Sequence, residues 1–320
     1  MSVRKLLAIA ALAFAALYAY ALRRIRRFEY LDLRDADVPG SYVDVQGSRV
    51  HYVEAGRGEP VVLIHGIFAS TFSFRHTIPE LAQQHRVVAF DLRGFGYTDM
   101  PEDADYSLTA QTTLVHDAMA RLGIERAGVI GHSMGGDVAM RLALSYPKSV
   151  SRLVLVDSVT GHETSRRHRL PALVRPLLPL VAGLSLNTRS IRRGLLSAVH
   201  DPAHVTEDVV AGYELPMHVR GRLRAFRMLM AHRERDLPVE PERITQPTLV
   251  LWGEHDRWIP IEHGEELAQR IPNARFAVVR SAGHLPLEEQ PVDTTRMLLD
   301  FLRVEPPPAA ETVATQVETV

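Results

Sequence analysis

The pentapeptide Gly131-His132-Ser133-Met134-Gly135 fits the pattern G-x-S-x-G. An apolar run, Ala127 to Ile130, leads into it and a helical pattern, Met134 to Ser145, leads out. A strand that turns directly into a helix needs small flanking residues, and it lifts the serine to the apex of a tight, strained turn. The hydroxyl then stands beside a helix N-terminus, whose free N–H groups favour negative charge. This makes Ser133 a candidate nucleophile rather than a simple helix cap. A serine hydroxyl attacks only when a base takes its proton, and the base needs an orienting carboxylate. Of the 15 histidines, His284 is the best placed, in Ser281-Ala-Gly-His-Leu-Pro-Leu-Glu288 after a strand pattern at Arg275 to Val279. Asp256 lies in Trp252-Gly-Glu-His-Asp-Arg-Trp-Ile-Pro260, after another at Thr248 to Trp252. All three follow the C-terminal ends of strands, the edge of a parallel sheet where sites form. Asp157, in Val154-Leu-Val-Asp-Ser158, also follows a strand and competes for the carboxylate role.

The elements that must position these residues are legible as a rhythm. Tyr42 to Val45 and Val50 to Val53 alternate around Gln46-Gly47-Ser48, a hairpin signal. Short apolar β-type runs follow at Val61 to Ile64, Arg86 to Phe90, Ala127 to Ile130, Leu153 to Val156, Thr248 to Trp252 and Arg275 to Val279. Helical patterns separate them at Ile78 to Gln84, Leu108 to Leu122, Met134 to Ser145, Glu262 to Arg270 and Thr294 to Leu302. Continuous Val/Ile/Leu runs between amphipathic helices predict an α/β fold, a mostly parallel central sheet with helices on both faces. The rhythm breaks over 159–240, a stretch rich in Arg, Leu and Pro that reads as a helical cap or lid inserted between two strands. The core is then expected at 28–158 and 241–303. The proline-led tail, 304–320, is expected to be disordered.

Composition narrows the function. The chain has 320 residues, 46% hydrophobic and 23% charged, the balance of a folded globular protein. With Lys+Arg at 37 and Asp+Glu at 38, the whole molecule has no electrostatic pull toward nucleic acid, and no nucleic-acid partner is expected. The absence of cysteine excludes disulfides, thiolate metal sites and a cysteine nucleophile. No P-loop, dinucleotide fingerprint or metal-ligand cluster is present at convincing spacing, so no cofactor or metal is expected. Residues 1–27 stand apart. Leu6 to Leu22 carries no charge, Arg4 and Lys5 precede it, and Arg23, Arg24, Arg26 and Arg27 follow. At ~1.5 Å per residue such a run reaches about 25 Å, which suits a short membrane helix. A membrane anchor is the expectation; a signal peptide cleaved at Ala19-Tyr20-Ala21, giving a secreted or periplasmic protein, is the alternative.

From Tyr42 to Phe301 the chain resembles the α/β-hydrolase family. The resemblance rests on His65-Gly66, Asp91-x-Arg93-Gly94-x-Gly96, the turn Gly131 to Gly136, Gly253-Glu-x-Asp256 and Gly283-His284, in the family's order and spacing. It implies Ser133 as nucleophile, His284 as general base and then acid, and Asp256 rather than Asp157 as the orienting carboxylate. It implies an oxyanion hole from the backbone N–H of Met134 and a second from Ile67, with Phe68 in reserve. His65, Asp91 and Arg93 would shape loops. Epoxide hydrolases and haloalkane dehalogenases of similar sequence carry aspartate at the nucleophile position, so serine points to acyl transfer. Carbon–carbon-bond hydrolases usually show a glycine-rich loop where this chain has Ile67-Phe68-Ala69-Ser70. The expected activity is hydrolysis of a small-molecule carboxylic ester with an apolar or lipid-like acyl group. The alternatives are an acyltransferase or perhydrolase on the same triad, or a ligand-binding protein that has kept it. From Thr160 to Glu240 there are thirteen Arg and eight acidic residues. With the anchor, this resembles the membrane-bound monoacylglycerol-lipase-like branch.

Overall fold

The computed structural model describes residues 2–159 and 177–303. The expected tail, 304–320, and the start of the insertion, 160–176, lie outside the described residues. The strands are β1 (Ser41–Val45), β2 (Ser48–Ala55), β3 (Pro60–Ile64), β4 (Arg86–Phe90), β5 (Ala127–His132), β6 (Val150–Val156), β7 (Thr248–Gly253) and β8 (Ala274–Val279). They form one sheet in the order β1-β2-β4-β3-β5-β6-β7-β8. The pairings from β4 through β8 are parallel, and the β1–β2 hairpin joins β4 antiparallel. Gln46 and Gly47 both take positive φ (51° and 73°), the geometry that suits a two-residue hairpin turn.

Each parallel strand divides its side chains between two apolar layers, because successive residues point to opposite faces. Val62, Ile64, Val129, Leu153 and Trp252 join one buried cluster, while Val61, Leu63, Ile130, Val154 and Leu251 join the other. Both faces are covered by helices: α2 (Thr77–Leu81), α3 (Leu108–Arg121), α4 (Met134–Ser145) and, beyond the insertion, α9 (Ile261–Arg270), α10 (Pro286–Glu289) and α11 (Pro291–Arg303). The helix expected over 78–84 ends at Leu81. Past its end the Gly56–Gly58 loop packs so closely that a Cβ at Gly56 would lie 2.4 Å from the Ala82 carbonyl.

Between β6 and β7 the described chain forms α5 (Leu178–Ser185), α6 (Thr188–Ala198), α7 (Glu207–Glu214) and α8 (Arg222–His232). The N-terminal helix, α1, runs Val3–Phe28 and is long and apolar enough to cross a membrane or to be a signal sequence. Only 6% of its most apolar window is buried, so it is no core helix. Its last turns nevertheless pack against α5: Ala21 and Ile25 are buried, and a Cβ at Gly183 would sit 2.4 Å from the Ala21 carbonyl.

Candidate active site

Because β4 lies on one side of β3 and β5 on the other, the strand order reverses beside β3, and a crevice opens at the C-terminal ends of these strands. Ser133 stands there, directly after β5, with φ 53° and ψ −119°, a conformation unfavourable for any residue with a side chain. The neighbours hold it. A Cβ at Gly131 would lie 2.4 Å from the Gly135 carbonyl, and one at Gly135 would lie 2.1 Å from the Ile64 carbonyl, so α4 can fold back onto the sheet only with glycine at both. The Ser133 N–H donates to Val156 (2.9 Å) and its carbonyl accepts from Gly136 and Val159.

His284 and Asp256 converge on this serine from the loops after β8 and β7. Ser133 Oγ lies 3.0 Å from His284 Nε2, and His284 Nδ1 lies 2.7 Å from Asp256 Oδ2. Since an ionised carboxylate can only accept, Nδ1 carries the proton and Nε2 is left to accept from the hydroxyl. The other oxygen of Asp256 accepts from the N–H groups of Trp258 (2.7 Å) and Ile259 (3.0 Å). Burial alone would raise the Asp256 pKa, but His284 and these donors outweigh it and hold the carboxyl below its ordinary range. Asp157 is fully buried and φ-strained (43°); its Oδ1 accepts from Gly253 N–H (2.9 Å) at the start of the loop that carries Asp256. Burial, then the charge of Asp256, push it well above the carboxylate range. Its other oxygen, Oδ2, is buried without a hydrogen-bond partner among the described residues.

The second-donor loop follows β3, next to β5. Ile67 lines the cavity beside Ser133, and Gly66 passes so near that a Cβ there would be 2.9 Å from the Ser133 Cβ. Phe68 also faces the cavity, at φ 58°. Met134 is the first residue of α4, so its N–H has no partner a turn earlier in that helix. The loop is shaped by His65, whose Nδ1–H donates to the Gly66 carbonyl (2.7 Å) while Nε2 accepts from Leu92 N–H (3.1 Å). Asp91 is consumed by His51, Thr71 and Tyr97 (2.7–2.9 Å).

Several positioning residues carry no pattern of their own in the sequence. His132, the variable position inside the pentapeptide, donates through Nε2 to the His284 carbonyl (2.8 Å). Burial pushes its pKa down to about 3, so it stays neutral. Glu289 accepts from Gly283 N–H (2.8 Å) and His200 N–H (2.6 Å), tying the His284 loop to the inserted segment. His284 N–H itself donates to the Ala198 carbonyl at the end of α6 (2.7 Å). The Trp258 ring lies 5.0 Å from the His284 ring. Glu29, just past α1, accepts from Gly221 N–H (3.0 Å) and Leu223 N–H (2.7 Å), which caps α8. The nearest sequence signal for Glu29 is its place beside the arginine run, which points to a boundary rather than a site.

Ser133 and His284 open into a cavity of about 340 Å³, within the range of small-molecule sites. Its walls are mostly apolar, from Leu186, Ile191 and Leu195 of the inserted segment and Phe226 of α8. Arg222 is the buried cation in the wall; burial lowers its pKa to about 10, so it remains charged at neutral pH. The arrangement can activate a hydroxyl, hold an oxyanion and enclose an apolar group.

The family model described as alpha/beta hydrolase fold matches residues 59–190 and 210–291. The chain is 31% identical over 254 residues to an uncharacterised hydrolase of Bacillus subtilis, YugF, a match that covers 79% of this chain and 93% of that one. It is 30% identical over 284 residues to human epoxide hydrolase 4, covering 81% and 77%. Among solved structures it is similar to the meta-cleavage product hydrolase CumD of Pseudomonas fluorescens, with TM-score 0.71, 26% identity, and coverage of 82% and 97%. It is also similar to a bacterial membrane phospholipase A, with TM-score 0.66, 27% identity, and coverage of 93% and 95%. The matched residues run from β3 into α11 and include Ser133, Asp256 and His284, and the chain belongs to the α/β-hydrolase family of hydrolases.

Proposed function

We propose that the protein is a serine hydrolase that cleaves a carboxylic ester of an apolar acyl group, held at a membrane by α1. The observation that carries this reading is the continuous chain Asp256–His284–Ser133, with bonds of 2.7 and 3.0 Å, opening into an apolar cavity. Ser133 Oγ attacks the ester carbonyl as His284 takes its proton. The tetrahedral oxyanion is held by the N–H groups of Met134 and Ile67, each worth ~3 kcal/mol of barrier. His284 returns the proton to the leaving alcohol, the acyl-enzyme remains, and water activated by His284 releases the acid. The inserted segment acts as a cap whose apolar wall selects the acyl chain.

The nucleophile separates this reading from epoxide chemistry. A serine that opened an epoxide would be left as an ether, which this machinery gives water no means to cleave, whereas an acyl-enzyme is an ester. The likeness to a membrane phospholipase A, which spans more of the chain than the likeness to CumD, supports a lipid-like substrate. The test is hydrolysis of p-nitrophenyl esters from acetate to palmitate by the full chain in detergent micelles, alongside Ser133→Ala. Serine-dependent turnover with an optimum at a medium or long chain is expected. Folded protein with no turnover on any ester would reject the reading. Added alcohol that diverts the acyl group from water would identify an acyltransferase.

A further inference from the structure

A second cleft, of about 420 Å³, lies between α1 and the inserted segment. One wall is Arg23, Arg24 and Arg27 from the last turns of α1; the facing wall includes Asn187 and Thr188 at the start of α6. Leu186 lines both this cleft and the Ser133 cavity, so the two are neighbours across one side chain. The charges are unbalanced. Arg24 Nη1 is spent on the Leu184 carbonyl (3.1 Å), while Arg23 and Arg27 make no ion pair among the described residues. The carboxylate that lines the cleft, Glu214, is already held by Thr188 Oγ1 (2.8 Å) and stands 3.6 Å from His218 Nε2. Three guanidinium groups within five residues repel one another unless an anion sits among them, and planar guanidinium forks match phosphate oxygens in pairs.

The position in the fold says which anion. The charge-free run Leu6 to Leu22 spans about 25 Å, so Arg23 begins where hydrocarbon ends and headgroups start. Tyr20 lines the same cleft one turn earlier, the level at which aromatic side chains gather at a membrane surface. We propose that the cleft binds the phosphate of an anionic phospholipid headgroup, which seats the inserted segment on the bilayer beside the mouth of the catalytic cavity. The proposal rests on the reading of α1 as a membrane helix, and it does not require that the bound lipid be hydrolysed.

Arg26 supplies an internal control: it belongs to the same turn of α1, is exposed, and does not line the cleft. The test uses the full chain with Ser133→Ala in neutral detergent, so that no lipid is consumed. Binding of dihexanoyl phosphatidylglycerol, dihexanoyl phosphatidylcholine and inorganic phosphate is measured by calorimetry. Phosphatidylglycerol is expected to bind best. Arg23→Gln with Arg27→Gln should weaken it at least about tenfold, and Arg26→Gln less than about twofold, although charge near a membrane surface counts for every arginine. Arg23→Lys with Arg27→Lys, which keeps charge but loses the forks, should fall between. Equal losses for Arg26→Gln would reduce the effect to general charge and overturn the proposal. Equal binding of phosphatidylcholine would remove the anionic requirement, equal binding of inorganic phosphate would make the site one for free anions, and no lipid binding would leave no site; each overturns it. Loss of ester hydrolysis in the Ser133 series with lipid binding retained would separate this proposal from the enzymatic one.

Discussion

The edge of the sheet that carries Ser133 and the junction between α1 and the inserted segment are built on opposite principles. At the sheet edge every polar atom of the reacting chain is fixed by a buried partner, and the backbone is strained at Ser133 and Asp157. The junction is tied by separate hydrogen bonds, from the start of α8 to Glu29, from His218 to the Phe28 carbonyl, from Arg24 to the Leu184 carbonyl and between Leu31 and the 218–220 backbone, around the close approach of Gly183 to Ala21. Chemistry demands tolerances of about half an ångström, which only the rigid sheet can supply. Choice of acyl group demands only a wall of suitable shape, which small changes in packing can move. Substitutions at the two regions should therefore have different signatures, one in rate for all esters and one in preference among them.

The largest expected effect is at the sheet edge. Ser133→Ala should lower kcat on every ester roughly 10⁴-fold or more, and retention of even a tenth of the rate would break the comparison at its strongest point. Next is the contrast between the two acids. Asp256→Asn presents an amide to His284 Nδ1 and favours the wrong tautomer, costing about 10⁴-fold in kcat. Asp157→Asn keeps an oxygen that can accept from Gly253 N–H and leaves the Asp256–His284–Ser133 chain intact, and the rate on acetate esters should stay within about tenfold of the original. A reversed order would exchange the roles of the two carboxylates.

The junction should respond more gently. Gly183→Leu forces a side chain against the Ala21 carbonyl, which overpacking places at about 1–3 kcal/mol. Its melting temperature should fall. Its turnover of acetate should be nearly unchanged, and its chain-length optimum should shift; a uniform loss across all esters would erase the distinction between the regions. The smallest effect concerns pH. The native Asp157 keeps a proton that the unfolded chain releases near pH 4. Its stability contribution is then complete below about pH 4 and is lost as pH rises toward its raised native value. The melting temperature of Asp157→Asn minus that of the original should grow from pH 4 to pH 8. A flat difference would mean that Asp157 is ionised in the folded protein.

How far the sequence could be read follows the same division. The strands were legible because burial on both faces demands unbroken apolar runs, and Val61 to Ile64 and Ala127 to Ile130 leave no other use for such residues. The triad candidates were legible because each sits at the end of such a run, and the structure brings all three together. His132 and Glu289 were not, since a histidine that anchors a carbonyl and a glutamate that accepts two N–H groups leave no periodic trace. Glu29 was hidden for another reason: charge marks the end of an apolar helix whether or not the carboxylate caps a distant one. Contacts across about 190 residues of chain, such as Glu29 to Gly221, depend on packing that no local window contains.

The 2.7 Å bond from His284 N–H to the Ala198 carbonyl has a mechanical consequence. A methyl group added at Gly283 would lie 2.4 Å from that same carbonyl, so the contact leaves no slack. The end of α6 is thereby pinned to the loop that carries the base, so a change of packing that shifts the end of α6 reaches His284 through a single backbone contact.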